Sequence, residues 1–327
     1  MAVLVTGASG FLGSHVLERL AASGTLALGL GRDEERCVAL EALGHRIICH
    51  DLAQPLDEAL DPRLARVERI IHCAALSSPF GRLADFVTAN VTATRNLVDF
   101  ARRRGVGRFV HISSPSVCFA FRDQLDLRED VALPEPVNHY ARTKREAETI
   151  VLGQTDIHPV VLRPRGIYGK GDRALLPRLI KAARSRPLPL FRDGRAAIDL
   201  THVDDVVEAV MAALAAPVEA ERQIFNISGG EVLPVRRIAD DACVRAGLKA
   251  RWRAMPLLPA MLAAGLMEAV ALRLPGRSEP PATRYGLGLF AYAQSLDLSK
   301  TRRVLGWAPK IAFEQGLDRT FAGGCAP

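Results

Sequence analysis

The chain has 327 residues, of which 49% are hydrophobic and 24% charged, a composition typical of a globular protein with a substantial core. It excludes a disordered, collagen-like or low-complexity chain. The net charge of +7 comes from interspersed basic and acidic residues without a basic stripe, so it favours an anionic cofactor and not nucleic-acid binding.

Short β-like runs alternate with helix-period segments, which predicts an α/β fold with a doubly wound parallel sheet of the Rossmann type. The predicted strands are 2–6, 25–30, 46–49, 69–73, 108–112, 160–162 and 224–227, and the predicted helices are 13–22, 34–43, 83–104, 139–152 and 203–215, with a weaker helical segment at 57–64. Residues 1–165 would form the dinucleotide-binding domain, to which 198–228 return. Residues 166–197 and 229–327 would form a smaller, mainly helical substrate lobe.

A glycine-rich turn with the spacing GxxGxxG follows the first strand and opens the first helix. Glycines there let backbone N–H groups approach a pyrophosphate above the positive end of the helix. The turn predicts dinucleotide contacts at Gly7, Ser9, Gly10, Phe11, Leu12 and Gly13.

The end of the second strand predicts the choice of cofactor. NAD sites place an acid there for the ribose 2′-hydroxyl, whereas this chain has Gly31 followed by Arg32, whose guanidinium suits a 2′-phosphate. We therefore expect NADP to be preferred. Asp33 would favour NAD if the register were shifted by two residues.

Tyr140 and Lys144 form a Tyr-x-x-x-Lys pair, and residues four apart share one face of a helix. The pair lies behind a strand that ends in Ser113 and Ser114. With the glycine turn, these motifs resemble those of the extended short-chain dehydrogenases/reductases, and the resemblance covers nearly the whole chain.

The resemblance implies a role for each matching residue. Tyr140 would be the general acid/base, Lys144 would bind the nicotinamide ribose and lower the tyrosine pKa, and Ser114, in preference to Ser113, would hydrogen-bond the substrate carbonyl. Asp51 would contact the adenine, and Asn90 would be structural. The remaining cofactor contacts implied are Leu52, Cys73, Ala74, Ala75, Pro164, Gly166 and Ile167, together with Tyr140 and Lys144 themselves.

Two features concern the substrate. Nucleotide-sugar epimerases and dehydratases carry an arginine for the diphosphate where this chain has Ile198, although Arg195 lies three residues earlier. The segment 255–274 is rich in Leu, Ala and Met, which favours an apolar pocket. The motifs look closest to the 3β-hydroxysteroid dehydrogenase branch, which includes reductases of long-chain 2-alkyl-3-keto acids. We expect a secondary alcohol or ketone on a sterol-like or long-chain 3-keto acid substrate; a nucleotide-sugar epimerase or dehydratase and a non-catalytic redox sensor are the alternatives.

Partners and location follow from less specific features. The six scattered cysteines predict reduced thiols and no metal site, and Met1 leads directly into an apolar strand, so we expect a cytoplasmic protein. The apolar segment 254–272 approaches the length of a membrane span, but Pro256, Pro259 and Gly265 are expected to interrupt it, which favours a lid or a peripheral membrane contact. The resemblance suggests a homodimer packed through 83–104 and 139–152.

Overall fold

The computed structural model describes residues 2–273 and 279–322. Its strands are β1 Ala2–Thr6, β2 Ala27–Gly31, β3 Ile47–Cys49, β4 Val67–His72, β5 Arg108–Ile112, β6 Gln124–Leu127, β7 Pro159–Pro164, β8 Ile167–Tyr168, β9 Leu188–Leu190, β10 Ala197–Ile198, β11 Thr201–His202, β12 Gln223–Ile227, β13 Leu233–Pro234, β14 Trp252–Ala254 and β15 Gln294–Leu296. Its helices are α1 Phe11–Ala22, α2 Glu34–Ala42, α3 Leu83–Phe86, α4 Ala93–Arg104, α5 His139–Leu152, α6 Leu176–Ser185, α7 Val203–Leu214, α8 Val235–Arg245, α9 Leu257–Arg273, α10 Arg284–Leu289, α11 Ser299–Leu305 and α12 Phe313–Phe321.

The main sheet is parallel, with the strand order β12-β7-β5-β4-β1-β2-β3. This confirms the predicted Rossmann-type fold. Helices cover both faces, and two separate clusters of buried apolar side chains fill the spaces between the helices and the sheet. The strand order reverses between β1 and β4, so a crevice opens there at the carboxyl ends of the strands, where such folds bind ligands.

The second lobe combines helices with small sheets. Strands β13, β10, β15 and β6 form one sheet, and β9 pairs with β14. Strand β6 belongs by sequence to the segment 1–165, but it pairs with β15 of the lobe. The chain between β5 and α5 therefore crosses to the lobe and returns, which brings the lobe over the carboxyl ends of the main strands.

The structure corrects three expectations. The predicted helix 83–104 is divided by the π-helical turn Val87–Thr92. Asn90 lies in this turn, and its side-chain oxygen accepts a hydrogen bond from the Leu76 N–H at 2.7 Å. The segment 57–64 is no helix; only a 3₁₀ turn, Pro62–Arg66, forms near it.

The third correction concerns the apolar segment 254–272, whose expected interruption is wrong. Helix α9 runs through it, because Pro256 precedes the helix, Pro259 lies in its first turn and Gly265 is tolerated inside. Within the described residues, no helix has both the length and the apolarity to cross a membrane. Residues 274–278, which include the end of the predicted apolar pocket segment, lie outside the described part.

Candidate active site

The β1–α1 turn has the shape that a dinucleotide needs. Gly7 has a φ of +68°, and a Cβ there would lie 2.7 Å from the Ala74 nitrogen; a Cβ on Gly13 would collide with the Gly7 carbonyl. Only glycine fits these positions, because a side chain would collide with the neighbouring backbone. Gly10 is the N-cap of α1 and supplies no side-chain cap, so the first N–H groups of the helix are free to bind a pyrophosphate.

Further predicted contacts lie around this turn: Ser9 is in the turn, Phe11 and Leu12 begin α1, and Cys73, Ala74 and Ala75 directly follow β4. The Thr6 carbonyl accepts a hydrogen bond from the Cys73 N–H at 3.2 Å, and the Thr6 hydroxyl lies 3.3 Å from the Ala74 nitrogen. These bonds tie the two loops together at the edge of the crevice.

The adenosine end of the crevice lies beyond β2 and β3. Gly31 is the last residue of β2, and a Cβ there would lie 2.9 Å from the Ser9 hydroxyl. Asp33 caps α2 by accepting the Arg36 N–H and pairs with the Arg36 guanidinium, whereas Arg32 is exposed and has no ion pair among the described residues. Asp51 is exposed and accepts from its own loop at 2.9 Å, beside the buried Leu52.

Tyr140 lies in the first turn of α5. Its hydroxyl lies within the influence of the hydroxyls of Ser114, which the sequence predicts to bind the substrate carbonyl, and of Ser77, which the sequence analysis missed. Burial raises the pKa of Tyr140, and the two serine hydroxyls partly oppose this. The direction is opposite to the expected lowering by Lys144, because desolvation of the phenolate outweighs the hydrogen bonds in this structure.

Lys144 lies one turn further along α5 and is fully buried. Its Nζ donates to the Ile112 carbonyl at 2.6 Å and lies 3.4 Å from His111 Nε2. Burial lowers the lysine pKa to about 8. Burial, with the lysine charge, also lowers the pKa of His72 to about 3 and that of His111 well below its ordinary value, so both imidazoles are neutral.

Other predicted residues frame the site. Ser113 is buried behind Ser114 and its hydroxyl has no hydrogen-bond partner, and Asn90 ties the Leu76 loop to Thr143 of α5, which agrees with a structural role. Pro164, Gly166 and Ile167 follow β7 at the same edge of the sheet. Gly166 has a φ of +43°, and a Cβ there would lie 2.5 Å from Leu200.

Two further residues that were not predicted as site residues lie near the site: Tyr285 of the lobe and Arg165, directly after β7 of the main sheet. Tyr285 of α10 packs edge-on against Phe119, with ring centroids 5.1 Å apart. Burial raises the pKa of Tyr285 to about 12; the Arg165 charge lowers it and Tyr140 raises it, so the Tyr285 hydroxyl is within electrostatic range of both. Arg165 is buried at the end of β7. No sequence pattern links α10 to Tyr140, since 145 residues separate them and only folding brings them together.

The model of the NAD dependent epimerase/dehydratase family matches residues 3–228. The chain belongs to this family. It is 33% identical to a 4-hydroxy-2-methyl-3-oxo-4-farnesyl-3,4-dihydroquinoline-1-oxide ketoreductase of Stigmatella aurantiaca, covering 97% of this chain and 95% of that protein. It is 32% identical, over all of both chains, to a 2-alkyl-3-oxoalkanoate reductase of Stenotrophomonas maltophilia. These relatives confirm that this family member is a dehydrogenase/reductase.

Among solved structures, the chain is similar to UDP-glucuronic acid 4-epimerase from Bacillus cereus in complex with NAD, with a TM-score of 0.76. The identity is 23%, and the match covers 98% of this chain and 97% of that one. The likeness shows the shared fold.

Proposed function

We propose that the protein interconverts a secondary alcohol and a ketone on an apolar substrate, either sterol-like or a long-chain 3-keto acid, with NADP as the preferred cofactor. The observation that carries the proposal is the convergence of Tyr140, Ser114 and Lys144 at the carboxyl edge of the sheet beside the glycine turn. The two reductase relatives support the reaction and the apolar substrate, since the one acts on a farnesyl-bearing ketone and the other on a 2-alkyl-3-oxo acid.

In the reductive direction, the bound nicotinamide supplies a hydride to the carbonyl carbon. Tyr140 donates its phenolic proton to the carbonyl oxygen, and Ser114 donates a hydrogen bond to the same oxygen while negative charge develops there. Lys144, held by the Ile112 carbonyl, provides positive charge behind the tyrosine.

The NADP preference is supported by the surroundings of β2. Asp33 is engaged by α2 and Arg36, so the residue that would rescue NAD binding already caps a helix. Arg32 is left free for a 2′-phosphate.

Nucleotide-sugar epimerisation is less well supported. Ile198 packs against an apolar cluster of the lobe, where a diphosphate would find no donor, and Arg195 is exposed on a loop.

The test is a turnover panel with NADPH and NADH. Long-chain 3-keto acids and steroid ketones should produce a net loss of nicotinamide absorbance, and UDP- and dTDP-sugars should produce none. An epimerase would instead yield an isomerised sugar with no net cofactor consumption. A redox sensor would bind the cofactor and turn over neither class.

A further inference from the structure

Arg165 is a buried arginine whose donors are mostly unused. Its side chain is 8% exposed, and only Nη1 has an acceptor, the Gln294 side-chain oxygen. Nε and Nη2 are buried without a hydrogen-bond partner. Asp199 Oδ1 lies 3.3 Å from Nε, but neither atom makes a hydrogen bond, so the pair is misaligned. Buried guanidinium donors without acceptors are costly, which indicates that a partner for them is supplied by a ligand.

The position of Arg165 connects it to the reaction. Arg163 of β7 pairs with Glu148 on α5, and Arg165 is the first residue after that strand, about 6–7 Å nearer the carboxyl edge. Pairing continues to this residue, since its N–H donates to the Ile227 carbonyl at 2.8 Å. Tyr140 lies two turns before Glu148, towards the same edge. The side-chain contacts of Arg165 are Gln294 of β15 and Asp199 directly after β10, and the Tyr285 hydroxyl is within electrostatic range of both this guanidinium and Tyr140.

The two reductase relatives leave the substrate class open. The substrate named for the Stigmatella ketoreductase is a ketone without a carboxylate. The substrate named for the Stenotrophomonas reductase is a 3-oxo acid, whose carboxylate lies one carbon away from the ketone. A neutral carbonyl or hydroxyl oxygen can accept a hydrogen bond from a guanidinium, but it brings neither a negative charge nor a second parallel acceptor. A carboxylate accepts two parallel N–H bonds from one guanidinium edge.

We propose that Arg165 binds a substrate carboxylate through its Nε and Nη2 edge, and that the physiological substrate is a 3-keto or 3-hydroxy acid with an apolar chain. This rests on the proposed function and narrows it. The ketone oxygen would point to Tyr140 and Ser114, and the carboxylate to Arg165, with Gln294 holding the guanidinium. Tyr285 and Phe119 close the lobe side of the site with aromatic surface.

The experiment compares a long-chain 3-hydroxy acid with its methyl ester, using NADP⁺ and the wild-type protein, Arg165→Met and Gln294→Glu. Oxidation sends the carbinol hydride to the nicotinamide and the hydroxyl proton to Tyr140, so both substrates report the same chemistry. The wild type should favour the acid. Arg165→Met should lower kcat/KM for the acid about 100-fold and for the ester less than about threefold.

Gln294→Glu keeps the size of the side chain and neutralises the guanidinium, so it tests the proposal even if Arg165→Met does not fold. It should reduce acid turnover and spare the ester. Arg236→Met, which removes an exposed arginine of α8, is the control and should change neither.

If the variants lost kcat/KM equally for the acid and the ester, the proposal would be overturned, and Arg165 would be a structural link between β7 and β15. Equal wild-type turnover of acid and ester would also overturn it. A wild-type protein that oxidises neither substrate would instead contradict the proposed function, so the two failures are distinguishable.

Discussion

Arg163 lies in β7 and Arg165 is the first residue after that strand; both are buried, yet their surroundings differ. Arg163 donates from Nε and Nη2 to the two carboxylate oxygens of Glu148, at 2.8 and 2.7 Å, and its Nη1 contacts Cys118 Sγ. On Arg165 the same edge, Nε and Nη2, has no hydrogen bond. The fold saturates the donors of one arginine, whereas the other has an Asp199 oxygen 3.3 Å from Nε but no hydrogen bond on that edge among the described residues.

This difference distinguishes a region whose buried polar groups stabilise the fold from a region whose buried polar groups are expected to bind a ligand. Around Arg163, buried polar groups saturate one another, which fixes α5 against β7. One step towards the carboxyl edge, Ser113, Arg165 and Gln294 all keep buried polar atoms without partners. In a folded protein such groups are concentrated where a ligand completes them. Substitutions in the first region should therefore change stability, and substitutions in the second should change turnover.

The largest effect on turnover is expected from a substitution of Tyr140, at the carboxyl edge of the sheet. Tyr140→Phe removes only the proton-transfer group, so turnover should fall about 10²- to 10⁴-fold while the thermal midpoint and cofactor affinity stay close to wild type. Steady-state kinetics and cofactor titration check both. Near-normal kcat would show that another group transfers the proton.

A substitution of Glu148 tests whether the region around Arg163 determines stability. Glu148→Gln leaves the Arg163 charge buried without its counter-ion and should lower the free energy of unfolding by about 3 kcal/mol, measured by urea denaturation. Glu146→Gln is the matched control on the same helix; it breaks an exposed pair with Arg142 and should cost less than about 1 kcal/mol. If the two variants were equally stable, the contrast between the regions would fail.

A substitution of Arg32 tests which residue determines the preference for NADP over NAD. Arg32→Asp sets a carboxylate against the 2′-phosphate and should weaken NADP binding about 10- to 100-fold without weakening NAD. Arg19→Asp, at a surface arginine near the end of α1 that pairs with Glu208, is the control and should leave the ratio of the two affinities nearly unchanged. Fluorescence titration decides; a wild type that binds NAD more tightly would contradict the role given to Arg32.

The smallest effect concerns pH. Because burial depresses the pKa of Lys144 to about 8 from 10.5, the folded chain binds fewer protons than the unfolded chain between these values. This group's contribution to the free energy of unfolding should therefore rise with pH from about 8 to 10.5. The free energy of unfolding of wild type and of Lys144→Met is measured by denaturation at several pH values, and the difference between them gives the pH dependence that is due to Lys144. A pH-independent difference would mean that the lysine pKa is not depressed.

The sequence determined the parts of this protein that depend on local geometry. Strand β1, strand β5 and helix α5 have the predicted bounds, because alternation and helical spacing are read from neighbouring residues. Gly7 and Gly13 were predictable because only glycine fits their turn. The Tyr140–Lys144 pair was predictable because four residues are one helical turn.

Tertiary structure decided what depends on distant segments. The π-helical turn at Val87–Thr92 arises within a helix whose Asn90 serves the Leu76 loop, a contact that helical periodicity does not encode. The raised pKa of Tyr140 depends on its burial in the folded chain. Arg163 and Arg165 look alike in sequence. The packing of Glu148, Asp199 and Gln294 around them gives Arg163 a bidentate carboxylate and leaves the Nε and Nη2 donors of Arg165 without hydrogen bonds, because hydrogen-bond geometry is set by atoms brought together from far along the chain.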